Sequence, residues 1–308
     1  MEKDFHYYVI YALAETAGYS PEDSRIIAYA SQYVDDNNES QYPEKDGLPR
    51  FPSSIRLNGG YFRPIMTQSM SVKSLVYEIQ KFVYIPFHFM PGDNGKQVKG
   101  GTNRYSVTPN SKNARKLLKS AIASGDLYRI GIALHTFADT WSHQNFTGYE
   151  EDWNSVFTWT SPYRAIVPNI GHADVGHYPD EISTEWADHR FGKPERYITN
   201  RDRALDATKV IYQALRSAAG GSDYWSAVRR DFKKIIDAED YDDRIDKVRE
   251  YVNKPDLYYK KDQWVDEAVD RAGDELWAAP GFDDSHWHRF QQAAKANLAV
   301  TVDMLKGY

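Results

Sequence analysis

Hydrophobic residues recur along this chain at the spacing of helix faces, and segments of this kind dominate the sequence. Apolar residues three and four positions apart lie on one face of an α-helix, so such repeats predict amphipathic helices. The second repeat opens with Ser20-Pro21-Glu22-Asp23, a cap residue followed by proline and two acids. The pattern predicts helices over about residues 4–17, 20–36, 72–83, 111–123, 126–143, 200–219, 223–236, 264–277 and 286–305, and a return to helical character at Pro179.

Two long stretches between these helices are rich in glycine, proline and asparagine. They cover residues 37–60 and 87–111, and their composition predicts irregular loops. Loops of that length are uncommon unless they have a task such as lining a site. No alternation of strands and helices indicates a parallel sheet. We therefore predict an all-α, multi-helix fold, with a helical core over residues 1–195 and C-terminal helices over residues 196–308 that pack on it or extend it.

Composition narrows the classes of function. The net charge is -6 with acids and bases interspersed, which argues against a broad nucleic-acid surface. There is no cysteine, so any metal must be held by His, Asp, Glu, backbone or water. The opening MEKDFHYYVIYALAETAG is a poor signal peptide, and no stretch has the roughly 20 apolar residues that cross a bilayer. We expect a cytoplasmic protein without a membrane span.

The run LHTFADTWSH carries the strongest chemical signal. His135, Asp139 and His143 follow each other at four-residue intervals, which places them one turn apart on one face of a helix. An apolar stripe that includes Leu134 and Trp141 occupies the adjacent face. Two imidazoles and a carboxylate on one face suit zinc and related ions. The alternative is a polar helix edge whose histidines form ordinary hydrogen bonds.

Further candidates lie outside this helix. His177 and Glu181 are again four residues apart, near the helix start predicted at Pro179, and His172 precedes them. Asp180 is a second carboxylate that would point about a quarter-turn away from Glu181. Helix capping by either acid is the alternative interpretation, because acids favour the first turn.

Four more residues complete the set of candidates. His88 stands where the chain enters the glycine-rich loop. Asp35 and Asp36 end the second predicted helix, where the helix dipole disfavours carboxylates; a nearby cation or solvent exposure would remove that penalty. His6 lies in the aromatic run FHYYVIYA, and a core histidine bonded to a carbonyl is its simpler interpretation.

These blocks, in this order, resemble the zinc-dependent phospholipase C and single-strand-specific zinc nuclease superfamily. The resemblance rests on FHYYVIYALAETAG, YASQYVDDN, FHFMPGDNG, LHTFADTWSHQNFTGY and HYPDE, and it covers about the first 190 residues. Members of that superfamily are all-α phosphodiesterases with three zinc ions at the bottom of a cleft. The opening and the YASQYVDD run also look like an uncharacterised bacterial family of unknown function. HD-domain phosphohydrolases rank lower, because the chain contains no His-Asp dipeptide.

The resemblance implies a ligand set and makes residues 1–195 the metal-binding core. One metal would take Asp35 or Asp36, His88, His135 and Asp139; a second would take His143, His177 and Glu181; a third would involve His6 and share Asp139. The superfamily also uses a processed N-terminal Trp, which has no counterpart here. Asp4, or the spare one of Asp35 and Asp36, could replace it, and His172 and Asp180 are additional candidates.

Three hypotheses about function follow. The leading one is hydrolysis of phosphate esters by metal-activated water in a site with two or three zinc-type ions, where Asp35 or Asp36 orients or deprotonates the water. The second keeps the metal and the water but cleaves amides or carboxylesters. The third is a non-enzymatic helical protein with a structural metal, which predicts a closed four-ligand site. The substrate would be a small molecule or phosphoester.

Overall fold

The computed structural model describes residues 1–41, 53–69, 75–92, 98, 101–156, 168–273 and 275–308. Helix α1 begins with π-helical turns over Asp4–Val9 and continues as a regular helix over Ile10–Ala17. Helix α3 is likewise a composite of Tyr77–Ile79, π-helical Gln80–Tyr84 and Ile85–Phe87. The other helices are α2 (Pro21–Asp36), α4 (Lys112–Ser124), α5 (Leu127–Ser142), α6 (Asn200–Ala218), α7 (Trp225–Ile236), α8 (Tyr241–Tyr251), α9 (Gln263–Ala268) and α10 (His286–Met304).

Local signals set the ends of these helices. The Ser20 hydroxyl accepts a hydrogen bond from the Asp23 amide at 3.1 Å, which satisfies a free donor in the first turn of α2. Asp126 caps α5 in the same way through the Tyr128 and Arg129 amides. Gly18 ends α1 with a φ of 113°, a backbone conformation that side chains with a Cβ rarely adopt. The predicted helix pattern is confirmed for most of the chain.

Helices α2 and α5 pack most closely at the centre of the molecule. A Cβ at Gly131 of α5 would lie 2.3 Å from the Ile27 carbonyl oxygen of α2, so only glycine permits this approach. Helix α1 packs beside α2, and α10 packs beside α5. The polar residues at the end of α2 and along α5 therefore lie next to one another inside the protein.

The C-terminal third shares its core with the rest of the chain. Helix α6 packs on α1, and Trp287 of α10 is fully buried. Buried apolar side chains from Phe5 to Ala294 form one contiguous cluster. The helices beyond residue 195 therefore contribute directly to the packing around the central pair.

The all-α prediction is correct only at the coarse level, because the mainly helical fold includes two small sheets. One has the order β2-β1-β6-β5, built from β1 (Ile55–Leu57), β2 (Gly60–Phe62), β5 (Val269–Ala272) and β6 (Glu275–Ala278). The other pairs β3 (Glu185–Ala187) with β4 (Tyr197–Thr199).

Three sequence predictions are corrected by these strands. The helix predicted over 264–277 ends at Ala268, because the next residues form a hairpin whose β6 pairs in parallel with β1. The loop predicted over 37–60 contains β1. The helix predicted from Pro179 is wrong: the chain makes single turns there and must be extended by Glu185 to pair with β4. Residues 42–52, 70–74, 93–97 and 99–100 of the predicted loops and the short helix lie outside the described residues.

Among the described residues, no helix is long and apolar enough to cross a membrane.

Candidate metal centre

The central helix α5 presents His135 and Asp139 to the protein interior, and His143 follows directly at its C-terminal cap. His135 and Asp139 are almost completely inaccessible to solvent. Because α5 is capped and packs against α2, it holds these two side chains one turn apart on the same face, as their spacing in the sequence predicts.

Three side chains lie around the buried carboxylate of Asp139. The His135 Nε2 and His88 Nδ1 atoms lie 3.2 and 3.3 Å from Asp139 Oδ2, and 3.1 Å from each other. Asp35 Oδ1 lies 3.6 Å from His135 Nε2 and 3.8 Å from His88 Nδ1. We call Asp35, His88, His135 and Asp139 the first donor group.

These separations fit a tetrahedral ion. Four nitrogen or oxygen ligands about 2.0–2.1 Å from zinc are separated by about 3.3 Å along each edge of a tetrahedron. Five of the six separations within the first donor group fall between 3.1 and 3.8 Å, and Asp35 also forms a possible ligand set with His6 and His135. The group therefore has ligand types and separations that could hold a metal ion.

The orientation of the His88 ring supports the same interpretation. Its Nε2 lies 2.9 Å from the Thr67 carbonyl oxygen, which requires a proton on Nε2, so the neutral imidazole has its lone pair on Nδ1. That lone pair faces the carboxylates of Asp35 and Asp139. Acceptors that face one another in a buried site are stabilised by a cation between them, and a carbonyl tether of this kind is typical of ligating histidines.

A second donor group lies beside the first and consists of His143, His172 and Asp180. The Nε2 atoms of His143 and His172 approach Asp180 oxygens at 3.0 and 3.1 Å. Each imidazole donates its Nδ1 proton to a backbone carbonyl, His143 to His88 at 2.9 Å and His172 to Gly176 at 2.7 Å. Both Nε2 atoms are thus available as ligands, and all three ligand atoms lie within 4.8 Å of one another.

The other oxygen of Asp139 faces the N-terminal segment. His6 Nε2 lies 3.1 Å and the Met1 amino nitrogen 2.8 Å from Asp139 Oδ1. The same amino group lies 2.9 Å from Asp180 Oδ1 and therefore connects the two donor groups. The His6 ring also stacks on His135 with centroids 3.9 Å apart. This corner of the cluster is the place where the resemblance puts a third ion.

The electrostatics of the cluster are those of a buried charge network. Burial, reinforced by the neighbouring His6, holds the pKa of His135 well below its usual value, so this imidazole is neutral and able to ligate. Burial opposes ionisation of Asp139, but the Met1 amino group and the surrounding histidines outweigh it and hold the pKa of this carboxyl well below normal. Burial and the charge of Asp139 raise the pKa of Asp35 well above normal.

The structure places several predicted residues away from the two donor groups. Asp4 pairs instead with Arg244 at 2.6 Å. Asp36 lies next to the cluster, but its carboxylate accepts hydrogen bonds from Gln32 and Tyr259.

The structure also places His177 and Glu181, the expected ligands of the second metal, outside the two donor groups. His177 is exposed and lines the cavity, whereas Glu181 accepts a hydrogen bond from Thr184 at 2.7 Å. The predicted pairing of these two residues required a helix, and the chain makes isolated turns here. His172 and Asp180 lie beside His143 instead, where the prediction put His177 and Glu181.

Both donor groups open onto one cavity of about 970 Å³. Its walls combine apolar side chains such as Phe89 and Ile170 with polar ones such as Gln68 and Ser69, and two lysines, Lys3 and Lys261, also line it. A cavity of this size accommodates a small organic molecule beside the cluster.

Three contributors to the site were not predicted from the sequence. The Met1 amino group is not a side chain, and the Thr67 carbonyl that orients His88 leaves no trace in residue type. Phe89 stacks on the His143 ring with centroids 4.5 Å apart and an interplanar angle of 18°. Its position directly after His88 is the signal that could have drawn attention to it.

Fold and site together define a mainly helical protein with a buried His/Asp cluster that could hold metal ions beside a cavity. The chain belongs to DUF6765, a family of unknown function, whose model matches residues 1–305. No curated protein and no solved structure matches the chain.

Proposed function

We propose that this protein is a metal-dependent hydrolase of phosphate esters that uses two or three zinc-type ions. One observation carries the proposal: two donor groups with ligand-like spacing adjoin each other and open onto the same cavity. A structural zinc site is closed by four protein ligands, whereas a catalytic site keeps a position for water or substrate. The second donor group has three protein ligands and borders the cavity.

The charges that line the cavity favour bound cations. The acids Glu2, Asp35, Asp36, Asp139 and Asp180 line it, against the cationic groups of Met1, Lys3 and Lys261. With neutral histidines this lining is acidic, and it would repel a phosphate group. Two divalent ions would reverse the sign of the local charge, because each adds two positive charges.

The two donor groups would bind separate ions. Asp35, His88, His135 and Asp139 would hold one ion, and His143, His172 and Asp180 would hold the other. His6 and Oδ1 of Asp139, 3.1 Å apart, mark the place of a third ion. Bound ions of this kind neutralise a phosphate and acidify a water molecule to hydroxide near neutral pH.

Asp36 has the position of a proton acceptor beside the donor groups. It lines the cavity, and its Oδ2 accepts hydrogen bonds from the Tyr259 hydroxyl at 2.8 Å and from Gln32 Nε2 at 3.1 Å. These two contacts fix the carboxylate while leaving Oδ1 to orient or deprotonate a water molecule. Lys3 and Lys261 would contribute positive charge for the phosphate oxygens.

The test is a substrate screen on zinc-loaded protein with known metal content. We expect hydrolysis of aryl phosphomonoesters or phosphodiesters, and loss of that activity after chelation and its return with zinc. Asp36→Asn should retain the ions and lower kcat about 100-fold, the usual contribution of a positioned general base.

Cleavage of aryl acetates or anilides without any cleavage of phosphate esters would favour the amide or carboxylester alternative. A protein that binds a single, fully coordinated ion and cleaves none of these substrates would instead be a helical protein with a structural metal.

A further inference from the structure

A buried arginine in the C-terminal third joins two segments that carry residues of the metal centre. Arg244 lies on α8, and its side chain is 1% exposed. Its Nη1 donates to Asp4 Oδ2 at 2.6 Å, and its Nη2 donates to Ser183 Oγ at 2.9 Å. The two acceptors are far apart in sequence, and the arginine holds them on either side of one guanidinium.

The first contact fixes the N-terminal segment. Asp4 is fully buried at the start of the π-helical part of α1, and its Oδ1 accepts the Phe5 amide at 2.8 Å. His6 follows two residues later and faces Asp139. A displacement of Asp4 would therefore move His6 and the Met1 amino group relative to the cluster.

The second contact fixes the turn that carries Asp180. This turn has no helix to stabilise it, and its backbone is held by isolated hydrogen bonds such as that from the Asp180 amide to the His177 carbonyl at 2.9 Å. Ser183 follows Asp180 by three residues and receives the arginine. Asn200 at the start of α6 donates to the Glu181 carbonyl at 2.8 Å and holds the turn from the other side.

We propose that Arg244 is a positioning residue that sets the distance between the His6 segment and the Asp180 turn, and thereby the affinity of the second donor group for its ion. This inference rests on the proposed metal binding and assigns a role to the C-terminal third. A guanidinium suits the task, because its planar fork reaches two acceptors at once, which one lysine ammonium cannot do in the same geometry.

Two conservative variants test the proposal without leaving a buried charge unpaired. Arg244→Lys keeps a cation beside Asp4 and loses the fork, and Ser183→Ala removes the second acceptor alone. Both variants should bind the second ion about tenfold more weakly and the first ion with unchanged affinity. Tenfold is the lower end of the loss seen when a residue that supports a metal ligand is removed. The double variant should lose no more than Arg244→Lys alone, since both changes remove the same contact.

The readouts are Co²⁺ and Zn²⁺ titrations followed by elemental analysis and by the visible absorption of bound Co²⁺. Thermal unfolding and circular dichroism check that each variant folds. Lys247→Arg is the matched control, because Lys247 lies on the same helix, is partly exposed and pairs with Asp243. It should bind both ions as the wild type does.

Selective loss at the second group in both variants, with a control like wild type, supports the proposal. Wild-type affinity of both variants for two ions overturns it, and so does equal weakening of the first and second ions or an equal loss in the control. A wild-type protein that binds no ion at all overturns the proposed function itself, which is a different result from two ions bound with unchanged affinity in the variants.

Discussion

The two donor groups differ in how the chain builds them. The first draws on the end of α2, the end of α3 and the middle of α5; its His88, His135 and Asp139 side chains are at most 3% exposed, and only Asp35, which lines the cavity, is more exposed, at 29%. The second combines His143, at the C-terminal cap of α5, with two residues from turns. Its His172 and Asp180 side chains are 18% and 15% exposed. The first group thus depends on helix packing, and the second depends on contacts that hold loops.

This difference has consequences for binding. Packed helices hold ligands near their final positions, so little ordering is needed when an ion binds. Turns that are fixed by a few hydrogen bonds open more easily, because local stability follows local contacts. We therefore expect the first group to bind its ion more tightly and the second to exchange its ion more readily.

The largest effect should come from removing a ligand of the first group. His135→Ala should lower the affinity for the first ion by more than about 100-fold, beyond the range seen for outer-shell partners. His172→Ala should remove the second ion alone. Metal content after dialysis, with circular dichroism to confirm folding, measures both.

His177→Ala is the matched control, because His177 lines the same cavity without joining a donor group. It should retain wild-type metal content. Loss of an ion in His177→Ala together with full occupancy in His172→Ala would reverse the assignment of the second group.

Acidification should separate the two groups. Burial lowers the pKa of His172, but Asp180 and the Gly176 carbonyl outweigh it and raise the pKa above 6.5. The pKa of His135 is instead held well below 6.5 by burial and by His6. Because only a neutral imidazole ligates, protonation of His172 displaces the second ion at a pH where His135 still ligates. The first ion loses the Asp35 carboxylate as pH falls, since the pKa of Asp35 is raised, but keeps His135 and Asp139. Metal retention across a pH series measures the order, and complete release of the first ion before the second would contradict it.

A smaller effect is expected from the ring that supports His143. Phe89→Leu removes a stacked aromatic contact worth about 0.5–1.5 kcal/mol, so the second ion should bind about three- to tenfold more weakly while the first is unaffected. Phe82→Leu is the control, because Phe82 is 40% exposed on α3. Calorimetric titration with zinc measures the affinity of both variants. An equal loss of affinity in Phe89→Leu and Phe82→Leu would contradict the role assigned to Phe89.

The same contrast explains what could be predicted from the sequence. Helix periodicity placed His135 and Asp139 on one face, and cap residues such as Ser20 and Asp126 marked helix ends, because these features depend on neighbours within a few residues. The relation between His143 and Asp180 depends on the path of a loop. That path is set by partners such as Asn200 and Arg244, which lie far along the chain.

The prediction of the strands failed for a related reason. The run after Ala268 has the apolar spacing of a helix, but β5 and β6 pair with each other there, and β6 also pairs with β1, more than two hundred residues earlier. The turn near His177 likewise has a helix-like start at Pro179, but β3 must reach β4 a few residues later. Pairing between strands, which helix periodicity does not register, decided both segments.

The central claim is that two adjacent donor groups bind separate ions, and metal stoichiometry tests it most directly. Elemental analysis of the purified wild-type protein, after zinc loading and removal of loosely bound metal, should give two or three ions per chain, and one fewer in His172→Ala. A wild-type protein with no bound ion, or with a single ion that His172→Ala leaves in place, would contradict the account.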